Sequence, residues 1–161
     1  MNFITLLLLT LLNKGNLTVS SPAFKSNDYI PDKYSCHGEN TSPELNIVGI
    51  PKDAKCLALI VDDPDAPHGT FDHWVLWNIP VAQTIAANSQ PGVAGKNGAG
   101  QNAYTGPCPP GGTHHYHFKV YALDTMLDVK AGADKKTVED AMKGHILAEG
   151  ELVGLFKSKK S

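Results

Sequence analysis

Apolar positions along the chain fall into short runs separated by proline- and glycine-rich punctuation, the pattern of a β-rich domain. Residues 17–24 read as a first strand ended by a turn at Pro22, and a loop rich in Asn, Pro and Gly runs on to about residue 44. Residues 45–50 form a short apolar stretch closed by Pro51. The clearest strand is 56–63; Cys56 to Val61 are apolar without alternation, as expected of a central strand covered on both faces. Pro64-Asp65-Ala66-Pro67-His68-Gly69 then forces a loop, and a β-branched and aromatic run, 73–79, ends at Pro80. Residues 88–112 are dominated by Gly, Pro, Asn and Gln, a loop length that is usually functional or disordered. Residues 115–123 resume as a strand.

The one convincing helix spans 137–148. Thr137 with Asp140 three residues on gives a capping-box signal, and Val138, Ala141, Met142 and Ile146 form an apolar stripe. Gly150 supplies the stop, and 151–156 reads as the final strand. The fold class expected from this order is mostly β: an antiparallel, two-sheet, Greek-key-like sandwich with one clear helix near the C-terminus.

A chain of 161 residues, 42% apolar, makes one domain and can bury a core without a structural metal. The boundary is expected at 15/16, with residues 1–15 an apolar N-terminal extension or signal-like segment and 16–161 the domain. The apolar run at the start is too short to cross a bilayer. It has the length of a signal-peptide core, but no Lys or Arg precedes it and no small-x-small cleavage site follows. A cytoplasmic location is therefore expected, with a periplasmic or secreted one as the alternative if residues 1–15 act as a signal. The net charge of −2 builds no basic field for nucleic acid, and integral membrane association is not expected.

Of the three cysteines, Cys56 heads the apolar strand and reads as a small core residue. Cys36 and Cys108 lie in loop-like surroundings and can pair in an oxidising compartment. Their spacing fits no zinc framework, so no metal and no cofactor is expected.

The nine residues between strands 56–63 and 73–79 are too few for a parallel crossover, so the two strands should be antiparallel. Asp63 and His73 then lie at the same end of the sheet, with Asp65 close by. His114 and Tyr116 share one face of their strand, whereas His115 and His117 point the other way. The loop Gly106-Pro107-Cys108-Pro109-Pro110-Gly111-Gly112 leads into this pair and can bring backbone N–H groups close to a ligand. An acid, two histidines, a tyrosine and amides suit a phosphate or carboxylate. Read singly, Asp63-Pro64-Asp65 is a turn, and Trp74, Trp77 and Phe118 are core. Nothing in the spacing places the third strand beside the other two.

Asp63-Pro64-Asp65-Ala66-Pro67, His73-Trp74, the Gly106–Gly111 loop and His114-x-Tyr116-x-Phe118 together resemble the signature regions of the phosphatidylethanolamine-binding protein family, which includes the Raf kinase inhibitor-like proteins. Cys36-x-Gly38-x-Asn40-x-Ser42-Pro43, Gly106 to Pro110 and Met142 to Leu147 resemble its bacterial and archaeal branch. The resemblance implies a large sheet packed on a smaller one, with a pocket for small anions at one end. It places Asp63, Asp65, His73, Gly106, Pro107, His114 and Tyr116 in the pocket lining and a cis-proline at Ala66–Pro67. It departs from the mammalian pattern in lacking the C-terminal helix that borders the pocket there.

The function expected on these grounds is binding of a small anion: a phosphate, a phospholipid headgroup or a carboxylate. Inhibition or modulation of a kinase or protease partner goes with it, and no catalysis. The alternative is a hydrolase or phosphoryl-transfer enzyme using Asp63 with His73 or His114. Against it, the motifs contain no nucleophile elbow and no nucleotide loop.

Overall fold

The structure, a computed structural model, describes residues 13–159. Most of the apolar extension, residues 1–12, lies outside the described residues. Two sheets carry the fold. The larger has six strands in the order β1 (Gly15–Asn16), β9 (Ile146–Lys157), β8 (Thr113–Leu123), β4 (Cys56–Asp63), β5 (Phe71–Ile79) and β7 (Val93–Ala94). The smaller has β2 (Thr18–Ser20), β3 (Leu45–Val48) and β6 (Thr84–Ile85). Every pairing is antiparallel except β1 with β9, so the expected mostly-β two-sheet architecture holds. Among the described residues no helix is long and apolar enough to cross a membrane.

β4 is buried along its whole length because both faces of the large sheet are covered. Leu57, Leu59 and Val61 point into the core between the sheets, with Trp74, Tyr116 and Phe118. Cys56, Ala58 and Ile60 point to the other face, where Val138 and Met142 of the helix cover them with Trp77. The uninterrupted apolar run is the sequence trace of this double burial.

The N-terminal stretch is two strands, not one. At Leu17 the chain crosses from the large sheet to the small one, its N–H bonded to the Glu149 carbonyl at 2.9 Å. Gly150 permits this crossing: a Cβ there would stand 2.1 Å from the Leu17 carbonyl oxygen. The expectation that Gly150 stops the helix is thus corrected, since it lies inside β9 opposite Val120. Strand pairing also reaches back to Gly15, which pairs with Ala148, one residue before the expected boundary.

The helix, α1, spans Lys135–Met142, shorter than expected at its C-terminal end. Asp134, not Thr137, is the N-cap; its carboxylate accepts from the Thr137 N–H at 2.8 Å and from its hydroxyl at 2.7 Å. Val138 and Met142 face the sheet as expected. Ile146 instead opens β9, paired with Leu123, because Gly144 at φ 79° has already turned the chain out of the helix.

The 88–112 loop is ordered by its own polar side chains. Buried Asn97 donates to the Ala103 carbonyl and accepts from the Ala99 and Gln101 N–H groups. Short β7 anchors the same segment to β5.

Candidate functional site

At the end of the large sheet where β4 stops and β5 and β8 begin, a cavity of about 460 Å³ opens to solvent. β8 is the missing neighbour: it pairs directly with β4, with Asp62 opposite His117 and Val61 opposite Phe118. That register brings His114 and Tyr116 beside Asp63. Alternation along β8 buries His114 and Tyr116 and leaves His115 exposed, as the period of two requires.

Asp63, His73, Gly106, His114 and Tyr116 line the cavity, joined by Thr105, Phe71, Cys108 and the 66–70 loop. Asp63 is buried, and its Oδ2 accepts the Nδ1–H of His114 at 2.7 Å. A carboxylate can only accept here, so Nδ1 carries the proton and Nε2 is the nitrogen left for a ligand. Oδ1 of Asp63 accepts the Asp65 N–H at 2.8 Å, which fixes the carboxylate by the start of its own loop.

His73 is held by a second route. Its Nδ1–H donates to the Thr105 carbonyl at 2.7 Å, while the Thr105 N–H donates to the His73 carbonyl at 3.0 Å. Its Nε2 is likewise the uncommitted nitrogen. Burial holds the imidazole below its ordinary pKa, a bias that the Thr105 carbonyl and the Asp63, Asp62 and Asp72 charges only partly offset. The ring packs edge-on against Tyr116, centroids 5.1 Å apart, and tilted against Phe71 at 4.8 Å.

The Tyr116 hydroxyl is buried with no protein hydrogen-bond partner of ordinary geometry. Burial raises its pKa, further favoured by the Asp63 and Asp65 charges; the Cys108 backbone acts weakly the other way. A buried unpartnered hydroxyl costs stability, and such groups are found where a ligand supplies the missing bond.

Two residues expected in the lining are not there. Asp65 turns to the opposite face, accepting from the His115 backbone N–H at 2.8 Å and lying 2.7 Å from its Nδ1. These two hydrogen bonds hold its carboxyl below the usual range. Pro107 is buried behind the wall, its carbonyl accepting the Cys36 N–H at 3.1 Å. The expected amide cradle also shrinks. Asn40 Oδ1 takes the Gly106 N–H at 2.7 Å, and the three prolines of the loop have none to offer. The Ala66–Pro67 bond is trans; the tight turn comes from Gly69, at φ 103°, whose N–H reaches the Ala66 carbonyl.

Sequence reasoning missed Thr105, which acts through its backbone, and the role of Asn40, which stood in the Cys36–Pro43 motif with no function attached. Asn40 sits at φ 56°, a left-handed geometry that Asn tolerates, and its oxygen holds the cavity loop across 66 residues. Cys36 and Cys108 form a disulfide, Cα–Cα 5.5 Å, so Cys108 ties this wall to the 32–38 turn.

The profile of the phosphatidylethanolamine-binding protein family matches residues 20–157. The chain belongs to this family. It is 48% identical to a UPF0098 protein of Pyrococcus horikoshii, over 91% of this chain and 79% of that one. To a UPF0098 protein of Chlamydia muridarum it is 43% identical, over 88% and 99% of the two chains. Among solved structures, it matches a phosphatidylethanolamine-binding protein homologue from Chlamydia trachomatis. The TM-score is 0.86 at 39% identity, covering 91% of this chain and all of that one. YbcL of Escherichia coli, described as a member of the mammalian family, aligns at TM-score 0.82 and 30% identity over 90% of this chain. The cavity of this family member departs from a usual phosphate site in one respect. Among the described residues no lysine lines it, and the chain contains no arginine.

Proposed function

We propose that the cavity binds a small phosphate or carboxylate anion and takes up a proton in doing so. The observation that carries the reading is the set of three groups aimed at one space with a valence unspent: Nε2 of His73, Nε2 of His114 and the hydroxyl of Tyr116. With no lysine or arginine in the wall, positive charge has to come from an imidazole. A neutral His73 offers a lone pair at Nε2, which accepts from a protonated phosphate or carboxylic acid. A fully ionised ligand instead requires the ring to gain a proton. A phosphomonoester dianion or a carboxylate has no proton to give, so by either route its complex holds one proton more than the free partners hold at neutral pH. Affinity for such a ligand should therefore rise as pH falls toward about 6, the second pKa of a phosphate monoester.

The test is calorimetric titration with a phosphate monoester, phosphoethanolamine, at pH 6 and 7.5, in buffers of different ionisation enthalpy. Proton uptake on binding, with weaker binding at the higher pH, supports the proposal. Binding that releases protons or strengthens with pH sinks it.

A second reading is favoured by one observation. The Asp63–His114 pair leaves Nε2 as a base, the arrangement that would activate a water for hydrolysis. Binding is the better reading, because with no lysine in the described wall and no arginine in the chain few groups are left to stabilise the charge that would build up on a reacting oxygen. Turnover of simple phosphate and carboxylate esters that His114→Ala abolishes would favour the hydrolase.

A further inference from the structure

The geometry points to a second, redox-gated site on the cavity rim: when the Cys36–Cys108 disulfide is reduced, Cys36, His37 and Cys108 become a three-ligand site for a thiophilic metal ion, zinc above all. Their donor atoms lie within 4.8 Å of one another, and all three residues are exposed, so an ion has an open path. Two thiolates and an imidazole are the donor types that zinc selects, and three protein ligands leave the fourth tetrahedral position to water. Chain spacing conceals the set, because the two cysteines are 72 residues apart.

A metal site needs ligands that stay in place once the covalent link is gone, and here several contacts other than the disulfide hold the two segments together. The Cys36 N–H donates to the Pro107 carbonyl at 3.1 Å, and Asn40 accepts the Gly106 N–H at 2.7 Å. The Tyr104 hydroxyl reaches the Tyr34 carbonyl at 2.7 Å. Gly106 lies so close beneath the turn that a Cβ would stand 2.2 Å from the Tyr34 carbonyl oxygen. On the other side, Ser35 Oγ accepts the His37 N–H at 3.1 Å and donates to the Asp32 carbonyl at 2.8 Å. The His37 ring stacks on Phe156, centroids 6.2 Å apart, and among the described residues no hydrogen bond engages its nitrogens, so either is available to an ion. Zinc–sulfur bonds of about 2.3 Å in a tetrahedron put two thiolates about 3.7 Å apart. Side-chain rotation reaches that separation from a Cα–Cα distance of 5.5 Å without moving the backbone.

The chemistry balances with a dithiol as reductant. It supplies two electrons and two protons, the sulfur–sulfur bond breaks, and the dithiol leaves as its own disulfide. Each thiol then loses its proton to solvent as its thiolate binds the ion. Since Cys108 also lines the cavity, the ion's charge falls beside a wall that has no lysine.

The whole protein, reduced with a phosphine under argon, is titrated with Zn²⁺ against a chromophoric chelator and separately with Co²⁺. One equivalent of zinc should bind the reduced form, and the cobalt form should show thiolate-to-metal charge transfer. The oxidised protein should bind at least about a hundredfold more weakly, as should reduced Cys36→Ser, Cys108→Ser and His37→Ala, the minimum expected when a direct ligand is lost. Cys56→Ser should bind as the unaltered protein does, because that thiol is buried. Equal binding by oxidised and reduced protein would overturn the site. So would reduced protein binding no more tightly than the Cys36→Ser/Cys108→Ser double variant, or His37→Ala at full affinity. Loss of the cooperative thermal transition on reduction would also overturn it, since the argument needs the two loops held together without the disulfide.

Discussion

Asp63 and His114 stand 51 residues apart in sequence, yet their side chains share one buried hydrogen bond of 2.7 Å in the cavity wall. Replacing Asp63 by Ala strips the imidazole of its acceptor and the Asp65 N–H of its own. The expected loss of stability is about 3–4 kcal/mol, since a hydrogen bond to a carboxylate goes and two donors are left without their acceptor. Asp63→Asn keeps one acceptor oxygen, enough for one of the two donors, and turns its NH2 on the other, so it should cost about 2–3 kcal/mol. Urea denaturation with an unchanged m-value would measure both.

Strand alternation sets a contrast along β8. His114→Ala should weaken phosphate binding by about tenfold to a hundredfold, the value of one charge-assisted hydrogen bond. His115 and His117 pair instead with Asp65 and Glu151 on the opposite, exposed side. Their alanine variants should stay within about twofold of the parent, as exposed ion pairs contribute little. Titration of the three variants side by side checks the register and the site together.

Tyr116→Phe separates fold from function. Among the described residues the hydroxyl has only its weak contact with the Cys108 backbone to lose, so stability should stay within about 1 kcal/mol of the parent. Phosphate affinity should fall by about tenfold. Denaturation and titration of the same sample would show the two effects moving apart.

His73 gives a pH dependence whose sign is fixed. Burial lowers its pKa in the folded state, so the unfolded chain binds the proton more readily. Stability is therefore full above the unfolded value of about 6.5 and falls as pH drops from there toward the folded value. In His73→Asn the amide can still donate to the Thr105 carbonyl, and this share of the acid sensitivity should vanish. Denaturation curves of parent and variant from pH 7.5 to 5 should converge at the acid end.

Gly106→Ala places a methyl 2.2 Å from the Tyr34 carbonyl and 2.7 Å from Asn40 Oδ1. Neither backbone nor amide can retreat without breaking the Gly106–Asn40 bond, so a cost of about 2–3 kcal/mol is expected. Phosphate affinity should drop with it, because Thr105 immediately before and Cys108 two residues after the displaced residue both line the cavity. Thermal unfolding and titration check this pair.

The sequence by itself determined the two-sheet β class, the central position of β4 and the facing of β8. Each is written in a local period: an apolar run for a strand covered twice, an alternation for one covered once. It also brought Asp63 to His73, because nine residues between two strands leave only an antiparallel return. The pairing of β8 with β4, which puts His114 on Asp63, is a long-range choice made by the whole core, and only the tertiary structure decided it. The same holds for Asp65, which a two-residue step beyond Asp63 carries to the other face, where the His115 N–H waits. Helix end and loop chemistry went the same way. Ile146 pairs with Leu123 across the sheet, and Leu17 crossing overhead gave Gly150 its reason. Hydrogen bonds such as Asn40 to Gly106 join groups whose meeting no local pattern encodes, since their distance in the chain says nothing of their distance in space.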